Sequence, residues 1–410
     1  MAYILGYDIT NYEISLINYL LLYRGVKPNH LAIMHYGINF TKTQEKTIYK
    51  YLKRLVDQKL IAKYRLQNGL QGSMYYLTPK GFDLAKELFN INEAERGEGW
   101  INNNECTSHG DFPYELFSPP MEQASHHLLL IDFLVNLQST KTESIEYRLN
   151  LYSSTTFMTA DGKSRFRPDA EVRLQNNRIY AIEVDRGSEN HEQLCKKFRT
   201  YRHYYDTLKE NGLSIKHVGI IFVVEDKRKI HGMKRRWKNI AAAFFKEMKD
   251  YHLEVNLIFT TLRDANKTIL LEINKKDYEQ KFLHKLGSSL ERENHDNINF
   301  FCINDKAGNP KVTFSTIASN GNKFEVVIYM FSQMYETSIY SKYYDVYRHI
   351  EMIKSNDSVA GLELSGFRKI ISYANEVPSL INDFSPYQLS DGLDISLKGY
   401  DTNVELQKID

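Results

Sequence analysis

Cysteine is nearly absent from this chain of 410 residues; three occur, at Cys106, Cys195 and Cys302. They lie far apart, without the short pair spacings of a zinc site, so a reducing cytoplasm is the expected setting. Proline is scarce too, at nine, which predicts a folded chain with few flexible linkers. A net charge of only +2 argues against nucleic-acid affinity of the whole molecule and leaves any such contact to local patches. Long apolar runs are missing: Leu128–Ile131 stops at Asp132, far short of the roughly 18 residues of a membrane span. The N-terminus lacks the basic stretch, apolar core and small-residue cleavage site of a signal peptide. The expectation is a soluble cytoplasmic protein with no membrane contact, built from two or three domains.

What is present begins with a winged helix-turn-helix pattern over residues 1–90. Ile14, Ile17, Leu20, Leu21 and Tyr23 predict a first helix ending near Gly25, and Lys27–Tyr36 a second, stopped at Gly37. Thr41 and Gln44 form a capping box for a third, whose inward residues are Ile48, Leu52, Leu55 and Val56. A strand from Leu60 to Arg65 leads through a Gly69–Gly72 tip to a second, Met74–Leu77, and Thr78-Pro79 starts a closing helix. Lys42, Lys46, Lys50 and Lys53 on the third helix suit phosphate contacts, and Gln44 and Thr47 are placed to reach base edges. The competing reading is the solvated face of a packed helix.

Residues 91–118 are polar and read as a linker. Pro119-Pro120 opens a helix through Gln138, with Leu130, Phe133, Leu134 and Leu137 inward and Glu122 and His126 on one side. Ser144–Leu151 reads as a strand and Met158–Arg165 as a loop.

The densest polar chemistry lies between Arg167 and Tyr205. Ala170, Val172 and Leu174 alternate with Asp169, Glu171 and Arg173; after a polar turn, Tyr180, Ile182 and Val184 alternate with Ala181, Glu183 and Asp185. Both runs predict half-buried strands. A three-residue loop sets Val172 against Tyr180, Ala170 against Ile182, Asp169 against Glu183 and Arg167 against Asp185. Glu183 and Asp185 then stand about 7 Å apart along their strand. Three carboxylates this close need solvent, an arginine or a divalent cation, and hard oxygen donors suit magnesium or manganese. A helix follows, capped by Asn190 with Gln193, whose stripe is Leu194, Phe198, Tyr201, Tyr205 and Leu208. Lys197 lies beside that stripe and is the lysine expected over the acids.

Arg167-Pro168-Asp169, Glu183-Val184-Asp185-Arg186-Gly187 and Lys197-x-x-x-Tyr201 resemble the replication-relaxation family of plasmids and other mobile elements, related to the MOB-C class of conjugative relaxases. His126-His127-Leu128 resembles the family's histidine-containing helix, with His126 the better aligned. The resemblance covers roughly the first 260 residues and implies a winged helix joined to a variant PD-(D/E)XK nuclease core. It departs from the nuclease pattern at Asp185, where a lysine is expected; Lys197 is the candidate substitute, and without it the core reads as inactive. Relaxases of the more familiar sort carry two histidines separated by one residue, and none of the 13 histidines has another two positions away.

Downstream, Val218–Val224 reads as a strand covered on both faces, Ile230–Tyr251 as an amphipathic helix and Leu253–Thr260 as a strand. This α/β order is compatible with a restriction-endonuclease-like sheet over 119–267. The basic run Lys227–Lys238, with Arg228, Lys229, Lys234, Arg235 and Arg236, suits a phosphate backbone. Residues 268–410 read as an α+β accessory region of unknown role, with strands at Asn299–Cys302, Lys311–Thr316 and Phe324–Met330. Its tyrosines, from Tyr335 to Tyr347, read as packing residues.

Three functions stay open. In the first, a mobile-element protein nicks double-stranded DNA: Asp169, Glu183 and Asp185 bind magnesium or manganese, Lys197 stabilises charge and His126 assists proton transfer. In the second, a replication or transcription factor binds DNA and keeps an inactive nuclease scaffold. In the third, the acidic hairpin is a salt-bridge site, with Arg167 on Asp185 and Arg173 near Glu171. Other replication or conjugation proteins and a second copy of the chain are the remaining candidate partners.

Overall fold

The computed structural model describes residues 2–4, 6–67, 71–91, 113–139, 145–153, 155–159, 162–174, 177–225, 230–281, 284, 298–304, 310–319, 322–333, 335–373 and 401–408. The protein is mixed α/β and divides into two compact units: Met1–Ser188, His203–Lys227 and Thr260–Asn266 form the first; Glu189–Arg202, Arg228–Phe259 and Lys267–Asp410 the second.

In the first unit a short hairpin, β1 (Ala2–Ile4) and β2 (Tyr7–Ile9), precedes α1 (Asn11–Tyr23). Thr10 and Glu13 close a capping box on α1, and Leu16, Ile17, Leu20 and Leu21 are its buried face. The chain turns at Arg24, with φ at +66°, into β3 (Gly25–Val26) and α2 (Pro28–Tyr36), which Gly37 ends at φ +90°. Thr41 and Gln44 cap α3 (Lys42–Asp57), and Ile48, Leu52 and Leu55 are buried. Next come β4 (Ile61–Arg65), β5 (Ser73–Leu77) and α4 (Pro79–Leu88). The small antiparallel sheet has the order β3-β5-β4. Gly81 in α4 is fixed by space, because a Cβ there would stand 1.9 Å from the Leu60 carbonyl oxygen. The expected strand tip (68–70) and most of the expected linker (92–112) lie outside the described residues.

A short α5 (Tyr114–Phe117) and a 3-10 turn (Met121–Gln123) lead to α6 (Ala124–Ser139), whose buried residues nearly encircle it. Then follow β6 (Glu146–Leu149), α7 (Asn150–Ser153), β7 (Thr155–Thr159), β8 (Gly162–Phe166), β9 (Ala170–Arg173), β10 (Ile179–Asp185), α8 (His191–Glu210) and β11 (His217–Val224). Within the first unit the strands of the main sheet run β11-β10-β9-β6. The stretch expected as a loop, Met158–Arg165, instead belongs largely to the β7–β8 hairpin; Thr156, Phe157 and Met158 pair with Arg165, Ser164 and Lys163. The pattern there is too polar to signal strands on its own.

Buried polar contacts fasten α1 to β3 onto α6 and its approach. The Arg24 guanidinium donates to the carbonyls of Leu116 (3.0 Å), Phe117 (2.6 Å) and Ser118 (2.6 Å). Tyr23 hydroxyl donates to Gln138 at 2.7 Å. His127 Nε2 donates to the Gly25 carbonyl at 2.9 Å, and burial pushes its pKa down to about 3, so the ring is neutral. His30 meets Asp132 at 2.6 Å.

After β12 (Asn256–Thr261), the second unit centres on β13 (Ile298–Asn304), β14 (Pro310–Ser319), β15 (Lys323–Ser332), β16 (Glu363–Tyr373) and β17 (Asp401–Lys408), in the order β13-β14-β15-β16-β17. Helix Ser338–Arg348 lays Tyr343 and Val346 against Val312, Phe314, Val326, Ile328, Met330 and Phe367 of this sheet. Tyr347 contacts Phe367 too, and Tyr335 packs on Phe259 and Trp237. A buried ionic network lies after β15. Lys275 Nζ bridges Glu336 and Glu272, the Gln333 N–H donates to Glu336 at 2.9 Å and Asn256 donates to it at 2.7 Å. Burial alone would raise the Glu336 carboxyl, but Lys275 and the Gln333 N–H outweigh it and bring the pKa down to about 2.

Candidate functional site

The β9–β10 hairpin takes the register its alternation predicts: Val172 faces Tyr180 and Ala170 faces Ile182. The Leu174 N–H donates to the Arg178 carbonyl at 2.9 Å, closing the loop whose residues 175–176 lie outside the described residues. One step beyond the last bonded pair, this register brings Asp169 to Glu183. The predicted half-burial is corrected, since β10 is buried along its whole length and so is most of β9. Neighbouring strands flank β10 on both edges, and its polar residues find internal partners.

Asp169 spends both oxygens. Oδ1 lies 3.0 Å from His126 Nε2 on α6, and Oδ2 accepts the Val184 N–H at 2.9 Å. A carboxylate only accepts, so the His126 Nε2 carries the hydrogen. Glu183 and Asp185 are 3% and 2% exposed, and Asp185 Oδ1 accepts the Gly187 N–H at 2.6 Å. Arg186 donates to Ser125 on α6 at 2.5 Å and stands 4.0 Å from Glu225. Partial burial and then Arg165 lower the Arg167 guanidinium from its ordinary pKa, with Asp169 opposing them. The arrangement thus brings His126, Asp169, Glu183 and Asp185 to one end of the sheet. Among the described residues, however, no three His, Cys, Asp or Glu side chains converge as a metal centre. Each Asp169 oxygen already accepts one hydrogen bond and keeps a second lone pair, so a magnesium or manganese ion there would have to share that carboxylate with His126 and the Val184 N–H.

The same face of the sheet holds a buried chain that the sequence did not reveal. His217 Nε2 donates to Glu171 at 2.8 Å, and its Nδ1 lies 3.2 Å from the Tyr205 hydroxyl. Glu171 is fully buried. Arg173, the expected neighbour of Glu171, pairs with Glu146 at 3.5 Å. A histidine opening the apolar run of β11 was the available signal.

In the second unit Lys197 Nζ pairs with Glu189 at 3.0 Å. Glu189 also holds Arg236: NH1 donates to its carbonyl at 2.6 Å, and NH2 lies 3.9 Å from its carboxylate. Arg236 is only 5% exposed, so the phosphate contact expected of it is replaced by an internal one. Arg235 is exposed. Lys227, Arg228 and Lys229 lie outside the described residues, as does the Lys234 side chain.

On α3, Lys42, Lys46, Lys50 and Lys53 are all exposed while Thr47 is half-buried. Gln44 is half-buried, and its Oε1 is held by the Thr41 N–H at 2.7 Å. Lys63 and Arg65 of β4 are exposed as well. Among the described residues no helix is long and apolar enough to cross a membrane.

The replication-relaxation family model matches residues 32–216. That span runs from α2 to the start of β11 and includes every acid of the strand-end cluster. No curated protein matches the chain.

Proposed function

We infer, from the match of residues 32–216 to the replication-relaxation family model, that the chain binds double-stranded DNA in the replication of a plasmid or other mobile element. The observation that carries this reading is the face of α3. Lys42, Lys46, Lys50 and Lys53 recur at helical spacing, all exposed, on a helix whose opposite side is packed by Ile48, Leu52 and Leu55. Three helices followed by the β4–β5 ribbon have the plan of a winged helix, which would lay α3 in the major groove and the ribbon along the backbone. Since net charge is near zero, affinity has to come from this patch and fall steeply with salt. Fluorescence anisotropy on a labelled duplex from the cognate replicon tests it. Replacing Lys42, Lys46, Lys50 and Lys53 by alanine together should abolish binding; unchanged binding would remove the reading.

The sheet of the first unit, with its α6–β6–β9–β10–α8–β11 order, is then a nuclease-like scaffold. A nicking activity keeps one observation in its favour: His126 and Asp169 are hydrogen-bonded at the strand end where Glu183 and Asp185 also sit. A histidine oriented by a carboxylate can take a proton when neutral or give one when protonated at a scissile phosphate. Supercoiled cognate plasmid incubated with manganese separates the two. Nicking by wild type and none by Glu183→Ala supports the enzyme. Equal nicking by both, or by neither, leaves the scaffold reading.

A further inference from the structure

The region after residue 265 repeats the strand plan of the region that holds the acids. In the first, β6, β9 and β10 pair antiparallel in turn, and β11 returns parallel to β10 after a helix. In the second, β13, β14 and β15 pair antiparallel in turn, and β16 returns parallel to β15 after Ser338–Arg348. The spans from Asp185 to His217 and from Ser332 to Glu363 differ by a single residue. Each third strand also leaves through a glutamate two residues ahead of its crossover helix: Glu189 before His191, and Glu336 before Ser338. Both glutamates are held by a lysine, though from different places: Lys197 from the crossover helix itself and Lys275 from ahead of the sheet. Connection rules alone favour the shared strand order, but they impose neither the matched spacing nor the paired glutamates.

We infer that the described strands of residues 298–373, with the helix Ser338–Arg348, are a second copy of the plan β6, β9, β10, β11, and that the strand end of this copy contributes packing where the first carries acids. The registers make the correspondence residue by residue. In the first copy the last bonded hairpin pair is Ala170 with Ile182, and the next step outward is Asp169 with Glu183. In the second, the last pair is Thr313 with Tyr329, and the next step is Val312 with Met330. Glu183 precedes Glu189 by the same interval that separates Met330 from Glu336. Val312 and Met330 both belong to the apolar core of the second unit, and Ser332 stands where the first copy has Asp185. The polar groups beyond that strand end are closed on themselves, with the Lys275 ammonium between Glu336 and Glu272.

Rewriting the first copy with the second copy's residues tests the equivalence. Full-length Glu183→Met, and Asp169→Val/Glu183→Met, are compared with wild type by thermal unfolding in the absence of DNA. The single variant should melt within about 5 °C of wild type, because the fold already accepts methionine at the equivalent position. A fall of more than about 5 °C would overturn the correspondence. If only the double variant falls, His126 and the Val184 N–H have lost their acceptor, and the single variant's unchanged melting upholds the inference. The converse change, Met330→Glu, should lower the melting temperature by more than about 5 °C; wild-type melting would show that the position is not the core equivalent and would also overturn the proposal.

Discussion

Two sheets of like plan in one chain end their third strands differently. At β10 the strand end carries Glu183 and Asp185, with Asp169 alongside and a histidine from α6. At β15 the corresponding stretch is Met330 and Ser332 beside Val312, and charge appears only further on, neutralised by Lys275. The contrast separates what the fold requires from what it tolerates. An apolar pair satisfies the hairpin, so the acids at β10 are not there to make the sheet. They cost desolvation, which hydrogen bonds from His126 and the backbone partly offset.

The largest effect should come from breaking the second region's ionic network. Lys275→Met strands Glu272 and Glu336, both fully buried, and should cost about 3–5 kcal/mol in urea unfolding, with lost amide-exchange protection in β13–β16. Retention of protection there would mean that the network is dispensable.

Somewhat smaller is the cost of Arg24→Met in the first region, which deprives three carbonyls of their donor. Burying such groups unpaired costs about 1–3 kcal/mol each when solvent does not replace the donor, and partial solvation should hold the total to about 3 kcal/mol. A loss below about 1 kcal/mol in the same assay would show that water takes over.

Acid should then resolve the two regions in order. The folded His127 pKa of about 3 lies below its ordinary 6.5, so the unfolded chain binds that proton first. Its contribution is complete above pH 6.5 and is lost as pH falls from 6.5 toward 3. For Glu336 the folded value of about 2 lies below the ordinary 4.5, and its contribution fades only from 4.5 toward 2. Amide exchange at pH 7 and pH 5 should therefore show loosening around α6 and β3 with β15 unchanged, and His127→Gln should flatten that change. Equal loosening of both regions at pH 5 would break the distinction.

The smallest effect belongs to the surface. Lys46→Ala should leave stability intact and, in the proposed DNA-binding reading, reduce the salt slope of binding by about one. An unaltered slope would place Lys46 off the DNA.

Much of the first unit was legible because its elements announce themselves locally. The capping box of Thr41 and Gln44, the stop at Gly37 and the alternation across Ala170–Leu174 and Tyr180–Val184 each fix structure within a few residues. The register of the acidic hairpin followed from a short turn and a period of two. What escaped depends on distant partners. Glu171 read as an outward acid because nothing near it in sequence reveals His217 or Tyr205. Lys197 and Arg236 read as cations for phosphate because Glu189, which takes both, is remote from Arg236. In the second unit β13, β14 and β15 were visible as apolar runs, whereas Ser365, Gly366, Arg368 and Lys369 interrupt β16 enough to hide it.

The Arg24 fastening has a consequence for anything long that lies across the first unit. Because α1 to β3 are bolted to α6, the basic helix and the strand-end acids share one frame. In the proposed reading, a duplex gripped at α3 would present a given phosphate to His126 at one fixed distance and one rotational phase. Half a helical turn inserted between the recognised sequence and that phosphate would swing it to the far side of the duplex, and a full turn would bring it back to the same side. The protein would thus be a ruler, with its zero set at a single arginine.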